Sequence, residues 1–304
     1  MNGPTVTVVI PTYQEERHIE RTLQAVRNQT YPKVVEVLVV DGRSDDRTRE
    51  LAAAFGATVH DNPRRIQAAG LNVGIEAAVG DVIVRVDGHC TIAADYVERC
   101  VDALERTDAA MVGGAMTPVA ARGWQRAIAL AMSSPIGAGP ARFHVGGRPG
   151  WVDTVYLGAY RTEQARAAGG YELVAQNEDA EFAIRLGAAG GVWFDPTIRS
   201  EYTPRDSLPA VARQFWRYGR SRAATVRRHP RSLAWRQLAA PLLVLCLLSP
   251  WRRRVLTAYM AIVAAETARQ TARAGSAGLL VAPVLPAMHV PWGLGFLLGV
   301  ARRS

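Results

Sequence analysis

The stretch Gly80–Thr91, GDVIVRVDGHCT, decides the fold. Val82, Ile83, Val84 and Val86 form a β-branched run, the mark of a buried strand. Asp81 stands at its start. Asp87, Gly88 and His89 follow at its carboxyl end, the edge where open α/β sheets bind ligands. A glycine between aspartate and histidine lets a carboxylate and an imidazole face one point across a tight turn. That pair can hold a divalent cation, and the cation a diphosphate. Without ligand chemistry, the same residues read as a strand and a polar turn.

The pattern repeats upstream. Val6–Ile10 is a short buried strand ending at Pro11, with Thr12 and Glu15 behind it, and Val34–Val40 is a second, ending in Asp41. Helices are predicted over 18–28, from Ser44 or Asp45 as cap to about Phe55, over 66–78 and over 93–104. Further strands are predicted at 57–60 and 110–113. Strands alternating with helices at this spacing give a doubly wound, mostly parallel sheet. The polar clusters Thr12 and Glu15, Asp41, then Asp87 and His89 all fall on one edge of such a sheet and can converge there. No GxGxxG or GxxxxGK[ST] pattern follows a strand, so phosphate would have to be held by metal and arginine. Residues 124–151, rich in Gly and Pro, read as a loop near the site mouth, and 152–161 as strand-like. Gln176–Leu186 reads as a helix opened by Asn177, Glu178 and Asp179. An acidic first turn suits the helix dipole by itself; it also suits a base held ionised by that dipole.

Charge and apolarity change together further on. Residues 1–205 are net −4, whereas 206–304 carry fifteen arginines and two acids, a net of +13. Ser207–His229 reads as an Arg-rich helix with Ser207 as cap, Pro209 in its first turn and Gln214, Arg217 and Tyr218 on one face. Three uncharged stretches follow: 15 residues at 237–251, 11 at 255–265 and 27 at 275–301. The last alone reaches the roughly 20 residues of a membrane span; the first two suit interfacial or re-entrant helices. Arg252–Arg254 and Arg302–Arg303 flank them as cytoplasmic anchors do. A basic, apolar tail beside an acidic body points to anionic lipid and away from nucleic acid. Three scattered cysteines exclude a zinc knuckle and fit a reducing compartment. The first eleven residues lack the basic and apolar regions of a signal peptide, so the amino-terminal part is expected in the cytoplasm. The expected organisation is a catalytic domain over 1–205, a basic amphipathic helix over 206–235 and a membrane-associated helical tail over 236–304.

Taken in order, five motifs and a closing apolar segment resemble the family 2 glycosyltransferases of the GT-A fold, most nearly the succinoglycan-type glucosyltransferases of bacterial exopolysaccharide assembly. VVIPTYQEE looks like a strand followed by P-x-Y-N-E, with Gln14 for Asn. VLVVDGRSDDRT looks like V-V-D-G-x-S-x-D-x-T, and Asp87-Gly88-His89 is a D-x-H variant of D-x-D. QNEDAEF resembles the E-D motif, and Gln214–Tyr218 resembles Q-x-x-R-W with Tyr at the end. HVPWGLGFLLG is similar to the closing membrane segment.

The resemblance implies a nucleotide-diphosphate sugar donor, most simply a UDP-hexose, a lipid-linked saccharide acceptor and a divalent cation, Mn²⁺ or Mg²⁺, at the cytoplasmic membrane. Thr12, Glu15 and Asp41 would contact the nucleoside, with Arg65 and Asn72 helping to place the donor. Asp87 would meet the ribose or metal, and His89 would complete metal and diphosphate binding. Asp179 would be the general base beside Glu178. Gln214, Arg217 and Tyr218 would face acceptor or diphosphate. Two other readings are a metal-dependent nucleotidyltransferase, which would release pyrophosphate, and a non-catalytic sugar-nucleotide-binding membrane scaffold.

Overall fold

The computed structural model describes residues 3–120, 122–173 and 178–301. The chain forms two compact units, one of residues 1–117 and 146–202, the other of 118–145 and 203–304. The boundary expected after 205 lies within three residues of the second crossover. Residues 118–145, expected in the first domain, belong instead to the second unit.

The first unit is built on β1 (Val6–Thr12), whose seven residues are all buried. It is followed by α1 (Ile19–Arg27), β2 (Val34–Asp41), α2 (Thr48–Ala54), β3 (Thr58–Asp61), α3 (Gln67–Ala77), β4 (Val82–Arg85), β5 (Thr91–Ile92), α4 (Tyr96–Thr107) and β6 (Met111–Pro118). The chain then leaves through α5 (Gly123–Met132) and α6 (Arg142–Val145). It returns with β7 (Gly150–Val152), β8 (Tyr156–Arg161), α7 (Thr162–Ala167), α8 (Glu178–Gly190) and β9 (Val192–Tyr202). Gln176 and Asn177, expected to open α8, lie outside the described residues.

The nine strands form one sheet in the order β3-β2-β1-β4-β8-β6-β9-β5, with β7 on β9. Its first four strands are parallel, as their alternation with helices requires; β8 pairs antiparallel with β4 and β6, and β9 antiparallel with β5 and β7, so the sheet is mixed. β1 pairs with β2 so that Thr12 lies opposite Asp41, and with β4 so that Val9 lies opposite Arg85. Amphipathic α1 and α4 bury Ile19, Leu23 and Val26, and Val97, Val101 and Leu104, against the sheet. At full burial such side chains contribute about 1.5–3 kcal/mol each.

The helix caps differ from expectation. Ser44 and Asp45 do not cap α2. The Ser44 N–H donates to Asp41, and Asp46 accepts the Thr48 N–H at 3.0 Å. Ser207 precedes the Arg-rich helix without a side-chain cap.

In the second unit, α5 replaces the expected loop because Ala127, Ile128, Ala131 and Met132 recur at helical spacing and are buried together. The unit continues with α9 (Leu208–Arg228), α10 (Ala239–Leu247), α11 (Arg252–Ala274) and α12 (Val281–Ala301). α12 packs along α9. Its His289 bridges the Tyr259 hydroxyl (3.0 Å) and the Ile136 carbonyl (2.8 Å). α12 is the one described helix long and apolar enough to cross a bilayer. Large apolar side chains stay exposed on α10 (Leu242, Leu245), α11 (Leu256, Met260, Ile262) and α12 (Leu294, Leu298, Val300). The flanking Arg302 and Arg303 lie outside the described residues.

Gly114 sits where β6 meets β9 so closely that a Cβ would lie 1.9 Å from the Ile198 carbonyl oxygen. Backbone cannot yield there as the end of a side chain can. Gly114→Ala should therefore cost about 1–3 kcal/mol, the usual range for overpacking, measured as a fall in the midpoint of denaturant unfolding.

Candidate active site

The parallel strands β1, β2 and β4 all end at one edge, and a cleft of about 210 Å³ opens there. Thr12, Tyr13 and Glu15 line it from the end of β1, Arg65 and Gln67 from the start of α3, and Asp87, Gly88 and His89 from the end of β4. The convergence expected from the strand ends is present for Thr12, Glu15, Asp87 and His89, and Arg65, implied by the resemblance, lines the cleft with them.

Each side chain has a partner that orients it. The Glu15 carboxylate lies 2.8 Å from His89 Nδ1. With Nδ1–H donating to that carboxylate, the His89 lone pair sits on Nε2, the tautomer a carboxylate–histidine pair presents to a metal. Asp87 is 7% exposed. Its Oδ1 accepts from Gln67 Nε2 and from Arg85 Nε, each at 2.9 Å. Arg65 holds a left-handed backbone conformation (φ 56°), and its guanidinium lies 5.9 Å from the Tyr13 ring centre. Among the described residues no three His, Cys, Asp or Glu side chains converge on one metal position. Asp87 and His89 instead offer two donors on one turn, the number expected where diphosphate oxygens and water complete a Mg²⁺- or Mn²⁺-type shell. The residues present therefore fit such a cation.

Two expected donor contacts lie elsewhere. Asp41 is fully buried and does not line the cleft. Its carboxylate accepts the Thr12 hydroxyl (2.9 Å), the Ser44 hydroxyl (2.7 Å) and the Ser44 N–H (2.8 Å), with Arg49 at 3.5 Å. Asp41 thus holds Thr12 and the turn after β2 in place. Asn72 does not line the cleft either. Its amide donates to the Tyr171 carbonyl (2.8 Å) and accepts the Tyr171 N–H (2.6 Å). This double bond clips the chain ahead of α8 onto α3, and Gly170 (φ 66°) lets the backbone pass, since a Cβ there would lie 2.5 Å from Asn72 Oδ1.

Glu178 and Asp179 form the first turn of α8. Glu178 is buried, and its Oε1 lies 3.3 Å from Arg85 Nη2. Asp179 keeps part of its surface accessible, and its Oδ1 accepts the Ala180 N–H at 2.7 Å. Burial pushes both carboxyls above their ordinary values, the Asp179 charge adding to the push on Glu178, while Arg85 opposes the rise in both. The helix dipole expected to keep Asp179 ionised is therefore outweighed by desolvation.

Arg85 was not among the expected residues. The signal was an arginine inside the apolar run VIVRV, where nothing but a buried partner justifies a charge. Burial works against that charge, but Asp87, Tyr171 and Glu178 outweigh it and the guanidinium stays protonated.

Gln214, Arg217 and Tyr218 belong to the second unit. Gln214 donates to the Tyr218 hydroxyl at 2.7 Å, confirming the shared face, and Arg217 is exposed.

Comparison with known proteins agrees with this geometry. Residues 7–166 match the model of glycosyl transferase family 2. The chain is 33% identical to the succinoglycan biosynthesis protein ExoA of Rhizobium meliloti over 97% of its own length and 96% of that protein's. It is 24% identical, over 76% of each chain, to a Methanococcus voltae enzyme named as a dolichyl N-acetyl-α-D-glucosaminyl phosphate 3-β-D-2,3-diacetamido-2,3-dideoxy-β-D-glucuronosyltransferase. Among solved structures, the mannosyltransferase PcManGT of Pyrobaculum calidifontis, in complex with GDP-Man and Mn²⁺, aligns with TM-score 0.64 at 21% identity, covering 99% of this chain and 88% of that one. Staphylococcus aureus TarS 1-349 with UDP-GlcNAc aligns with TM-score 0.55 at 16% identity, over 97% and 90%. With a family match over more than half the chain, and a relative sharing a third of its residues end to end, the protein belongs to glycosyl transferase family 2.

Proposed function

We propose that this glycosyltransferase transfers a hexose from a nucleotide-diphosphate sugar, a UDP-sugar first among them, to a lipid-linked saccharide in cell-surface polysaccharide synthesis, with inversion at the anomeric carbon. The observation that carries the reading is the cleft at the carboxyl edge of β1 and β4, where Asp87, two residues from His89, stands one guanidinium away from the acidic start of α8. The relatives supply the classes: one is named for succinoglycan biosynthesis, another for transfer to a dolichyl-phosphate-linked sugar.

In this reading Thr12, Glu15 and the Tyr13–Arg65 pair receive the nucleoside, with Asp41 fixing Thr12 from behind. Asp87 and His89 would hold a divalent cation, which stabilises the charge that develops on the leaving diphosphate. Asp179 takes the proton of the acceptor hydroxyl, a poor nucleophile until a base does so. One base acting against one leaving group makes a single displacement, so the configuration inverts. Gln214, Arg217 and Tyr218 serve the acceptor or its phosphate, for which a guanidinium offers paired hydrogen bonds. The second unit, with its exposed apolar helices and net positive charge, associates with an anionic membrane and keeps the catalytic unit on the cytoplasmic side. A nucleotidyltransferase is disfavoured by the family; a non-catalytic scaffold would show no turnover at all.

A screen of sugar nucleotides on purified membranes, read as free nucleotide diphosphate, tests the reaction; release of pyrophosphate in its place would refute it. Asp179→Asn should lose transfer by roughly 10²–10⁴, the worth of a positioned base, with nucleotide affinity held within threefold by calorimetry. Because burial raises the Asp179 carboxyl, wild-type kcat should fall with acid at a pH above that of an exposed carboxylate. Wild-type turnover in Asp179→Asn would exclude the assignment.

For the cation, Mn²⁺ titrated by electron paramagnetic resonance in the presence of UDP should bind wild type and bind His89→Ala more weakly by tenfold or more, the usual range for losing a metal contact. Equal binding would remove His89 from the site. For the membrane, carbonate and high salt should leave the full chain in the pellet, because apolar insertion is insensitive to screening, and detergent should release it. Recovery in the soluble fraction without detergent would make α10 to α12 a helical core.

A further inference from the structure

Arg85 is 3% exposed, so it cannot touch a substrate. Its guanidinium nevertheless joins two carboxylates that the chain supplies 91 residues apart. Nε donates to Asp87 Oδ1 at 2.9 Å, and Nη2 donates to Glu178 Oε1 at 3.3 Å. The plane is held from a third side by the Tyr171 ring, whose centre lies 5.9 Å from the guanidinium carbon. Tyr171 is itself fixed, stacked on Phe182 of α8 at 4.1 Å and clipped to α3 by Asn72.

Three elements therefore meet on one cation: the end of β4, the start of α8 and the segment before it. Remove the cation and Asp87 and Glu178 are two like charges sharing a poorly solvated space, which drives them apart or protonates one. With the cation in place, Asp87 Oδ1 is committed to Arg85 and Gln67, which fixes the rotation of its carboxylate in the cleft.

We propose that Arg85 is a positioning residue for transfer: its planar fork holds Asp87, on the donor side, and Glu178, at the head of the base-bearing helix, at one fixed separation. The role rests on the transferase reading above, because it registers the groups that this reading assigns to donor and acceptor. The fork, and not the charge alone, makes the link. Lysine presents a compact ammonium that can neutralise one neighbour but cannot hold two carboxylates in a plane.

The test compares full-length wild type, Arg85→Met and Arg85→Lys in membranes with the donor that the screen identifies, measuring kcat, donor KM and nucleotide affinity. Misplacing a catalytic group by about 1 Å costs on the order of 10²-fold. Arg85→Met should accordingly lose kcat by tenfold to a hundredfold, with donor KM and UDP affinity within threefold of wild type. Arg85→Lys should keep its fold and still lose kcat at least threefold. A purely structural arginine would lower the unfolding midpoint and leave kcat per folded molecule unchanged; that result, or a kcat in Arg85→Lys equal to wild type, overturns the proposal. If Arg85→Met does not fold, Arg85→Lys decides by the same kcat-against-KM split. A wild type that releases no nucleotide from any donor overturns the transferase reading and this role with it, whereas equal turnover in wild type and the variants overturns this role alone.

Discussion

Parallel pairing of β1 with β2 on one side and β4 on the other is the constraint on which the rest of the site depends. β1 is buried at every position and hydrogen-bonded along both edges. A strand so held cannot slip without breaking the ladders on both edges and displacing packed side chains on both faces. The register in turn fixes what stands beyond the strand ends: Thr12 opposite Asp41 and, one strand over, Arg85 leading into Asp87. The cleft is lined from the ends of β1 and β4 and from the turn into α3, and no side chain on it has to be carried there by a long flexible loop.

Charges are buried beside the cleft, which is an expensive way to build a protein interior. Moving an ion out of water costs several kcal/mol even after relaxation, and the cost is recovered only when every group finds a partner. Around Asp41 the partners are hydroxyls, an amide and the edge of Arg49; around Asp87 and Glu178 they are Gln67 and Arg85. These bonds are charge-assisted and worth about 1.5–3 kcal/mol each. The consequence for chemistry is rigidity: a carboxylate whose lone pairs are already assigned presents its remaining ones in one direction. The start of α8 is less fully compensated. There desolvation exceeds what the helix N-terminus and Arg85 return, and the carboxyls are pushed toward holding a proton. A group that ionises with difficulty is a stronger base once it has done so, which suits the base role proposed for Asp179.

The second unit follows a different rule. Inside it, Glu266 is bonded to Arg269 and Gln270, and His289 to Tyr259 and the Ile136 carbonyl. On its surface, leucines, Met260 and Ile262 are exposed along three helices. These exposed side chains support the membrane association proposed above. The arginines of α9 and of the α11 start make this stretch strongly basic, the charge that the proposed association with an anionic leaflet would use.

The sequence by itself determined the parallel half of the sheet, the strand ends that form the cleft, the family through five ordered motifs, and the run that became α12. Each of these is local: a β-branched run, a helical period or a stretch of 27 uncharged residues reports burial within its own span. Tertiary structure decided the rest, because hydrogen-bond partners are not local. Asp41 reads as a cleft residue until Thr12, 29 residues earlier, and Arg49 take up its oxygens. Asn72 reads as a donor contact until Tyr171, 99 residues on, occupies both ends of its amide. Residues 124–132 read as loop because glycines and prolines around them mask a helix whose apolar face has meaning only against the second unit's other helices. Arg85 stood in plain view within an apolar strand, but which carboxylates would neutralise it was settled only when the fold brought Glu178 beside the end of β4.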